Sequence, residues 1–437
     1  MYTHSVTLEK EKCMGCTDCI KRCPTEAIRV RQSKAKIIND RCIDCGNCIK
    51  ICRNGAKKAI TDELSLIGGF RYRVALVAPS FYAQFPKAIG IEWILQAILE
   101  IGFTDYFEVA VAAEAITDAT YTYIEKAQNF PIISSSCPAI VRLIQRRFPS
   151  LIDHILPIIS PMELAARFVK KAYKDKGINP SEVGVFFISP CPAKATEIHR
   201  PKGIENSMVD GVFSMQSLYK QVCSKLDKVK PTRGKASTYK GISWATRNGG
   251  IDENKISGHI AVDGMENVIS ILEKVEDGTL GNVNYIEALA CIGGCLGGAL
   301  TVENAFVSKN TLKKWIKQDK YETENVEHEL LKKIKQESCA FEKAIHPRKV
   351  FQLADDRDEA LKKAEELVAF YARLPKIDCG SCGAPTCRCF AEDVVRQLAH
   401  EEECVFLLRS KIKALSMQMH QLTQCVIPTD SGQKEGE

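Results

Sequence analysis

The residues of this chain best suited to chemistry are its cysteines, and sixteen of the twenty fall into groups with the spacing of metal ligands. The first groups are the runs Cys13-x2-Cys16-x2-Cys19-x3-Cys23 and Cys42-x2-Cys45-x2-Cys48-x3-Cys52. A [4Fe-4S] cluster needs four thiolates, and the fourth cysteine of such a run ligates the other of two clusters. We therefore predict one cluster on Cys13, Cys16, Cys19 and Cys52, and a second on Cys42, Cys45, Cys48 and Cys23. A zinc site would instead use two CxxC pairs.

Four further cysteines lie in the middle of the chain: Cys137, Cys191, Cys291 and Cys295. Two of them stand alone and two form a CxxxC pair, so that three strand ends would supply four thiolates to one cluster. The glycines at positions 293, 294, 297 and 298 lack a Cβ atom. We expect them to let the backbone approach a large cofactor closely.

The last group is Cys379-x2-Cys382-x4-Cys387-x16-Cys404. Loop glycines and Pro385 let three of these ligands curl around one face of a cluster, and a helix returns the fourth. The pattern is similar to a small domain that holds a single [4Fe-4S] cluster, and it favours iron and sulfur over zinc.

Composition limits the class of protein. At 437 residues the chain is long enough for two to four domains. Its net charge of +6 is small for this length and does not indicate nucleic-acid binding, and no apolar run reaches the length of a membrane span. The polar amino terminus does not resemble a signal peptide. We therefore expect a cytoplasmic protein, in which thiols stay reduced and many cysteines indicate metal ligation.

The elements that must position the central cysteines have an α/β pattern. Short strand-like runs alternate with helical stretches between about residues 71 and 300, which predicts parallel sheets covered by helices. The predicted strands include Arg73–Val77, Pro131–Ser134 and Val183–Ile188. The predicted helices include Ile91–Ile101, Ala139–Phe148 and Met162–Lys174. The unusual residues lie in the loops between these runs, where an α/β fold keeps its chemistry.

Three of these loops resemble the signature motifs of the iron-only ([FeFe]) hydrogenases: Ser134-Ser-Ser-Cys-Pro-Ala, Ser189-Pro-Cys-Pro-Ala-Lys194 and Leu289-Ala-Cys-Ile-Gly-Gly-Cys. The resemblance extends from about residue 70 to 305 and includes the loop Ala78-Pro79-Ser80. It implies a two-lobed α/β domain whose four central cysteines hold a [4Fe-4S] cluster. It implies that Cys295 also bridges to a two-iron subsite with carbonyl, cyanide and azadithiolate ligands. It further implies that Lys194 and Ser80 donate hydrogen bonds to the cyanides; without the motif, Lys194 would be a solvated surface lysine.

Several positions depart from the catalytic members of that family. Those proteins carry a proton-relaying cysteine immediately before the position of Cys137, and this chain has Ser136. A thiol has a pKa of about 8.5, whereas a serine hydroxyl ionises far less readily, so we expect a less effective relay. The rest of the usual relay finds no match at Leu156 or in the segment Asp118–Tyr123. Around the cluster, other usual residues are replaced by Ser189, Leu289 and Met162.

This pattern is similar to the sensory subgroup of the family, whose members oxidise H2 reversibly but slowly and report it to other proteins. Together the cysteine groups and the resemblance predict four [4Fe-4S] clusters: two amino-terminal, one in the active-site domain and one carboxy-terminal. Two alternatives stay open. One is a housekeeping hydrogenase linked to ferredoxin, and the other is an iron–sulfur carrier or assembly protein without hydrogenase activity.

The amino-terminal sixty residues resemble bacterial two-cluster ferredoxins, with Arg53 where proline is usual. They contain thirteen Lys and Arg but six Asp and Glu, which predicts either an acidic redox partner such as a ferredoxin or only a solvated surface. The other expected partners are H2, a downstream signalling protein and the maturation proteins that build the two-iron subsite.

The predicted domains are a ferredoxin-like domain at 1–62, the hydrogenase domain at 70–305, a helical connector at 306–374 and a mainly helical single-cluster domain at 375–425. Residues 426–437 read as a disordered tail. In the terminal helix an apolar stripe has heptad spacing if Glu401 fills one slot: Leu398, Val405, Leu408, Ile412, Leu415, Met419 and Leu422. The stripe predicts either a coiled-coil homodimer or a helix packed on its own domain.

Overall fold

The computed structural model describes residues 4–323 and 329–424, and within them the chain forms two compact units. The first unit comprises residues up to 13, 22–27 and 37–350, and the second comprises 14–21, 28–36 and the residues from 351 onward. The division falls inside the predicted connector, and the ferredoxin-like segment contributes to both units. The predicted tail lies outside the described residues. No described helix is both long and apolar enough to cross a bilayer.

The strands, in chain order, are β1 (Val6–Leu8), β2 (Ile28–Arg31), β3 (Lys34–Ile37), β4 (Lys57–Ala59), β5 (Tyr72–Val77), β6 (Asp105–Glu108), β7 (Ile132–Ile133), β8 (Val183–Ser189), β9 (Gly211–Ser214), β10 (His259–Asp263) and β11 (Tyr285–Leu289). The helices are α1 (Asp18–Lys21), α2 (Asn47–Ile51), α3 (Pro79–Tyr82), α4 (Ile91–Leu99), α5 (Val109–Lys126), α6 (Pro138–Arg147), α7 (Pro161–Asp175), α8 (Pro192–His199), α9 (Met215–Leu226), α10 (Tyr239–Ser243), α11 (Met265–Glu276), α12 (Ala305–Thr323), α13 (Glu329–Ile334), α14 (Arg357–Arg373), α15 (Cys387–Val395) and α16 (Val405–Gln424).

The larger sheet of the first unit has the strand order β6-β5-β8-β9, and every neighbouring pair is parallel. The two central strands are mostly apolar, the last four residues of β5 and all seven residues of β8 being buried, as expected for a parallel sheet covered on both faces. Helices α4 and α9 pack together, and α5 packs on α7. The predicted strands at Arg73–Val77 and Val183–Ile188 are confirmed.

The smaller sheet of the same unit has the order β10-β11-β7 and is also parallel. Its apolar core includes residues of α6 and α11. Two parallel sheets with helices between their strands confirm the predicted two-lobed α/β architecture. Four of these helices have a proline in their first turn, where its fixed φ is already helical and its missing N–H is not needed: α3, α6, α7 and α8.

The second unit holds α14, α15 and α16 together with the two-stranded sheet β2-β3. Its apolar core includes Phe370, Leu374 and Phe390. A buried ion pair also belongs to this unit: Arg29 Nε lies 2.6 Å and Arg31 Nη2 lies 2.8 Å from Asp393 Oδ2. The carboxy-terminal module of the unit is therefore tied to residues of β2 that lie more than 350 positions earlier in the chain.

Helix α16 corrects the predicted apolar stripe. The helix begins at Val405, so Leu398 and Glu401 lie outside it and the stripe is shorter than expected. None of its residues is buried. The alternative of a helix packed along its length on its own domain is therefore wrong for the residues that the structure describes.

Candidate active site and cluster ligands

A cavity of about 110 Å³ lies in the first unit at the carboxyl ends of the parallel strands. Its walls come from the carboxyl ends of β8 and β11, from the loops after β5, β7, β8 and β11, from the first turns of α3, α6 and α7, from α5 and α8, and from residues between 244 and 250. Most of the lining is apolar, and the residues in it that carry a hydroxyl, thiol, ammonium or carboxyl group are Ser80, Ser136, Cys137, Cys191, Lys194, Tyr285, Glu287 and Cys295. An apolar cavity with a few convergent polar groups at strand ends is the usual form of an active site in an α/β fold.

The four central cysteines converge beside this cavity. Cys137 and Cys191 immediately precede α6 and α8, and both have extended backbone conformations. Burial raises the pKa of the Cys191 thiol to about 12, with further contributions from Cys291 and Cys137. Burial likewise raises the pKa of Cys295, whose exposed surface faces the cavity, and the other three thiols raise it further. Neighbouring buried thiols become thiolates together only when a bound cation compensates their charge, so this donor set fits a metal cluster.

Two glycines allow close backbone contacts, Gly297 within its own ligand loop and Gly298 between two ligand loops. A Cβ atom on Gly298 would lie 2.1 Å from the carbonyl oxygen of Pro190, and one on Gly297 would lie 2.0 Å from that of Ile292. We expected these glycines to admit a cofactor. The structure gives a different reason for Gly298, because its missing Cβ lets the loop of Cys295 pack directly on the backbone beside Cys191.

Two buried polar atoms in the cavity wall have no hydrogen-bond partner among the described residues: Ser80 Oγ and Lys194 Nζ. Gln84 fixes the Ser80 loop, because its Nε2 donates to the Ser80 carbonyl oxygen at 2.9 Å. An unsatisfied buried hydroxyl is unfavourable and an unsatisfied buried ammonium more so, unless a ligand accepts from them. Donors beside a thiolate cluster suit anionic ligands, so these atoms fit the cyanide-bearing subsite that the resemblance implies. Pro79 lies beside Ser80 in the same wall.

The positions that depart from the catalytic enzymes are divided between the cavity and its surroundings. Ser136, Met162 and Leu289 line the cavity. Ser189 instead supports a ligand loop, since its Oγ donates to the Cys191 carbonyl oxygen at 2.8 Å and accepts from the Cys191 N–H at 3.2 Å. Leu156 is buried in the apolar core.

Sequence reasoning missed Glu287, which lies in the cavity wall on β11. Burial raises the pKa of its carboxyl group to about 7, although Asn248 N–H and Gly250 N–H donate to its two oxygens at 2.9 and 3.2 Å. The sequence feature that could have identified Glu287 is the two-residue period of a strand. Tyr285, Glu287 and Leu289 share one face of β11, and all three line the cavity.

The loop that holds Glu287 is itself positioned by α5. Thr117 Oγ1 donates to the Gly250 carbonyl oxygen at 2.7 Å, and the Tyr121 hydroxyl accepts from the Asp252 N–H at 2.8 Å. The threonine and tyrosine side chains near the segment Asp118–Tyr123 therefore support this loop, and neither lines the cavity.

One predicted amino-terminal ligand set comes together within the first unit. Burial raises the pKa of Cys42 and of Cys45, and in both cases the thiols of Cys23 and Cys48 contribute. Cys291 also raises the pKa of Cys45, so this set lies next to the central one. The set Cys13, Cys16, Cys19 and Cys52 is divided between the two units and stays a prediction from the sequence.

A lysine joins the second ferredoxin-like loop to the central ligands. Lys50 Nζ donates to the Gly297 carbonyl oxygen. The same ammonium lowers the pKa of Cys291, although burial raises it more. Gly46 packs closely there, since a Cβ on it would lie 2.5 Å from Ala299 Cβ.

In the second unit the four remaining predicted ligands surround one small cavity: Cys379, Cys382, Cys387 and Cys404. Burial raises the pKa of Cys382, and the thiols of Cys404 and Cys379 also raise it. Asp378 Oδ1 accepts from the Cys387 N–H at 2.6 Å, which holds the loop against the start of α15. Cys389, which is not among the predicted ligands, lies in the apolar core of this unit.

Family comparisons agree with these three groups of ligands. The family model for the iron-only hydrogenase large subunit, C-terminal domain, matches residues 71–235 and 214–299. A model for a 4Fe-4S dicluster domain matches residues 5–53, and one for a further Fe-S cluster domain matches residues 374–406. Iron–sulfur clusters are therefore the cofactors of this chain.

Individual relatives fall into two classes. Iron hydrogenase 1 of Clostridium pasteurianum is 24% identical over 35% of this chain and 29% of its own length. A cytosolic Fe-S cluster assembly factor of Aspergillus flavus is 24% identical over 54% of this chain and 47% of its own length. The chain thus spans less than half the length of either relative. A solved [FeFe]-hydrogenase from Chlamydomonas reinhardtii aligns with a TM-score of 0.46 and 16% identity over 58% of this chain and 90% of that one.

Proposed function

Because the chain belongs to the iron-only hydrogenase family, we propose that it oxidises H2 reversibly to two protons and two electrons, slowly, as a hydrogen or redox sensor. The site would be the cavity at the strand ends, where the four central cysteines would hold the [4Fe-4S] cluster and Cys295 would also hold a two-iron subsite. When bound, that subsite supplies the metal at which H2 is split and an amine that takes up a proton. The observation that carries the proposal is the pair of unsatisfied donors, Ser80 Oγ and Lys194 Nζ, in the wall of this cavity.

The cavity residues would hold the subsite in a fixed, dry environment. Lys194 and Ser80 would donate to anionic ligands of the two irons, which satisfies both buried donors. The apolar walls, which include Val109, Phe187 and Trp244, offer few hydrogen-bond partners to water, and the bound subsite would displace water from the cavity. Without water, the attraction between the Lys194 ammonium and an anionic ligand is stronger.

Proton movement would be the slow step. Ser136 Oγ would pass a proton through a hydrogen-bonded relay, and a hydroxyl does so less effectively than a thiol whose pKa is about 8.5. Glu287 has a pKa of about 7 and would therefore hold or release a proton at its carboxyl group near neutral pH. A slow relay beside an intact ligand set suits a protein that reports H2 better than one that consumes it in bulk.

Electrons would leave through the neighbouring cluster of Cys23, Cys42, Cys45 and Cys48, whose ligand Cys45 lies near Cys291. The remaining amino-terminal cluster and the carboxy-terminal cluster would complete the set of four. A ferredoxin or a downstream signalling protein would take up the electrons, and maturation proteins would supply the two-iron subsite.

The test is hydrogen turnover after a synthetic two-iron subsite has been installed in protein with intact [4Fe-4S] clusters. We expect infrared bands of carbonyl and cyanide, slow turnover in the wild type, and at least roughly tenfold faster turnover in Ser136→Cys, since a positioned acid–base group contributes roughly 10²–10⁴-fold. Ser135→Cys is the matched control, because Ser135 Oγ donates to the Ile158 carbonyl oxygen outside the cavity. Fast wild-type turnover would contradict the sensor and leave a housekeeping hydrogenase.

A second candidate function is iron–sulfur cluster transfer or assembly. It is favoured by the relatives named as assembly factors, which are as similar to this chain as the hydrogenases are. Failure of the protein to take up the subsite while its [4Fe-4S] clusters stay intact would support this candidate and contradict the hydrogenase.

A further inference from the structure

Helix α16 exposes a narrow apolar seam, of which the first residue, Val405, also lines the cavity of the carboxy-terminal ligands. Six large side chains follow steps of three and four along it, and between 39% and 72% of each is exposed: Val405, Leu408, Ile412, Leu415, Met419 and Leu422. The helix has 20 residues and is therefore about 30 Å long. Most of the stability of a helix in a protein comes from packing of its apolar face rather than from helix propensity, so a partner for the seam is expected.

The shape of the seam distinguishes between partners. A helix that packs on a protein core or lies in a membrane surface has an apolar face more than 100° wide, whereas a strict three-four repeat is the narrower seam of a coiled coil. In heptad notation the seam occupies positions a and d only. The neighbouring e and g positions between the first and last seam residues are polar: Arg409, Lys411, Ser416 and Gln418.

The side chains in the seam also specify the number and direction of strands. Val405 and Ile412 are β-branched and occupy a positions, while the d positions are all leucine. β-Branched residues at a with leucine at d favour a parallel, two-stranded coiled coil. The seam is thus complementary to another copy of itself in the same register.

Charge beside the seam does not oppose this pairing. In a parallel dimer each g residue faces the e residue of the next heptad in the partner, which pairs Lys411 with a serine and Gln418 with a threonine. Lys411 is already matched within its own chain, since its Nζ lies 2.5 Å from Glu402 Oε1. No like charges meet across the seam.

We propose that α16 forms a parallel two-stranded coiled coil with a second copy of this chain. Cys404, a predicted ligand of the carboxy-terminal cluster, immediately precedes the first seam residue, Val405. A parallel dimer therefore places the two carboxy-terminal clusters at the same end of the coiled coil, on either side of helices whose axes are about 8–10 Å apart. The carboxy-terminal clusters of the two chains would therefore lie close to each other, on either side of the dimer axis. This inference does not depend on hydrogenase activity.

Light scattering during anaerobic size-exclusion chromatography tests the pairing in the full chain with its clusters. We expect a mass of twice 48.6 kDa. Leu415→Asp, which places a charge in the seam, should halve the mass. Met417→Asp is the matched control, because Met417 is similarly exposed, 58% against 53%, but lies at position f outside the seam. A monomeric wild type, or a control that dissociates as completely as Leu415→Asp, would overturn the proposal.

Disulfide formation under mild oxidation tests the direction of the strands. Two variants are compared, Met419→Cys and Met417→Cys. Each also carries Cys425→Ser, which removes a nearby thiol. Met419→Cys should link the two chains of a parallel dimer, because residues at one a position face each other, whereas Met417→Cys should not. A dimer in which Met419→Cys stays unlinked would overturn the parallel arrangement. Binding of a monomeric wild type to phosphatidylserine vesicles would overturn the dimer and assign α16 to a membrane surface instead.

Discussion

Replacement of Glu287 with glutamine separates the proton chemistry of the cavity from its metal ligands. Burial raises the pKa of this carboxyl group from 4.5 to about 7. Because one pKa unit corresponds to ~1.36 kcal/mol, the ionised carboxylate destabilises the native state by about 3 kcal/mol relative to the protonated acid. Because folding raises the pKa of this acid, its contribution to the free energy of unfolding is fully present below pH 4.5. That contribution is lost as the pH rises through about 7.

This pKa shift makes the stability of the wild type depend measurably on pH near neutrality. From the same linkage relation, we expect Glu287 to remove about 1 kcal/mol of stability from the wild type between pH 6 and pH 8, and glutamine to remove none. The measurement is the unfolding temperature of wild type and Glu287→Gln at both pH values, with clusters loaded. Glu266→Gln, at a site whose side chain is 83% exposed, is the control and should keep the wild-type slope.

Infrared spectroscopy observes the same group directly. The wild type should show a carboxylic-acid band at pH 6 that fades toward pH 8 and is missing in Glu287→Gln. If Glu287 moves protons, the variant should also lose a pH-dependent part of its hydrogen turnover. Equal pH slopes in wild type and variant, together with no titrating acid band, would refute the assignment of Glu287 as a proton-holding group.

Three substitutions test other parts of the structure. Asp393→Ala removes the carboxylate from a buried ion pair and should destabilise the carboxy-terminal module by about 3–5 kcal/mol in thermal unfolding, whereas exposed Asp355→Ala should not. Gly298→Ala places a Cβ against the carbonyl oxygen of Pro190, forces the ligand loops apart and should cause loss of the central cluster, measured as iron per chain. A Cβ at Gly234 has no atom within 4 Å, so Gly234→Ala should lose no iron. Lys194→Met should keep all [4Fe-4S] iron but fail to retain the two-iron subsite, seen as missing carbonyl and cyanide bands.

The regular elements were predictable because their signals are local. The predicted helices at Ile91–Ile101 and Met162–Lys174 are observed at Ile91–Leu99 and Pro161–Asp175. Apolar spacing decides such segments within a window of about 11–18 residues. The predicted strand Pro131–Ser134 is shorter in the structure, where β7 is Ile132–Ile133.

The features that sequence reasoning missed depend on contacts between distant residues. The spacing of cysteines predicts ligands because adjacent loop positions determine it, but nothing near Gly298 shows that Pro190 faces it. The pairing of Arg29 with Asp393 joins positions 364 residues apart. Glu287 differs, because local sequence could have identified it. Residues alternate between faces along β11, so Glu287 lies on the same face as Leu289, which belongs to a signature motif.

The choice between hydrogenase and assembly protein depends on residues that a [4Fe-4S] cluster does not need. Four thiolates satisfy such a cluster, so the cysteines fit either class, and relatives of both kinds are 24% identical to this chain. A buried ammonium and a buried hydroxyl without protein partners are unfavourable in a protein that holds only [4Fe-4S] clusters. They become favourable when anionic ligands of a second metal group occupy the cavity. If Lys194→Met and Ser80→Ala stabilise the protein without the subsite but prevent its uptake, the cavity is built for that group.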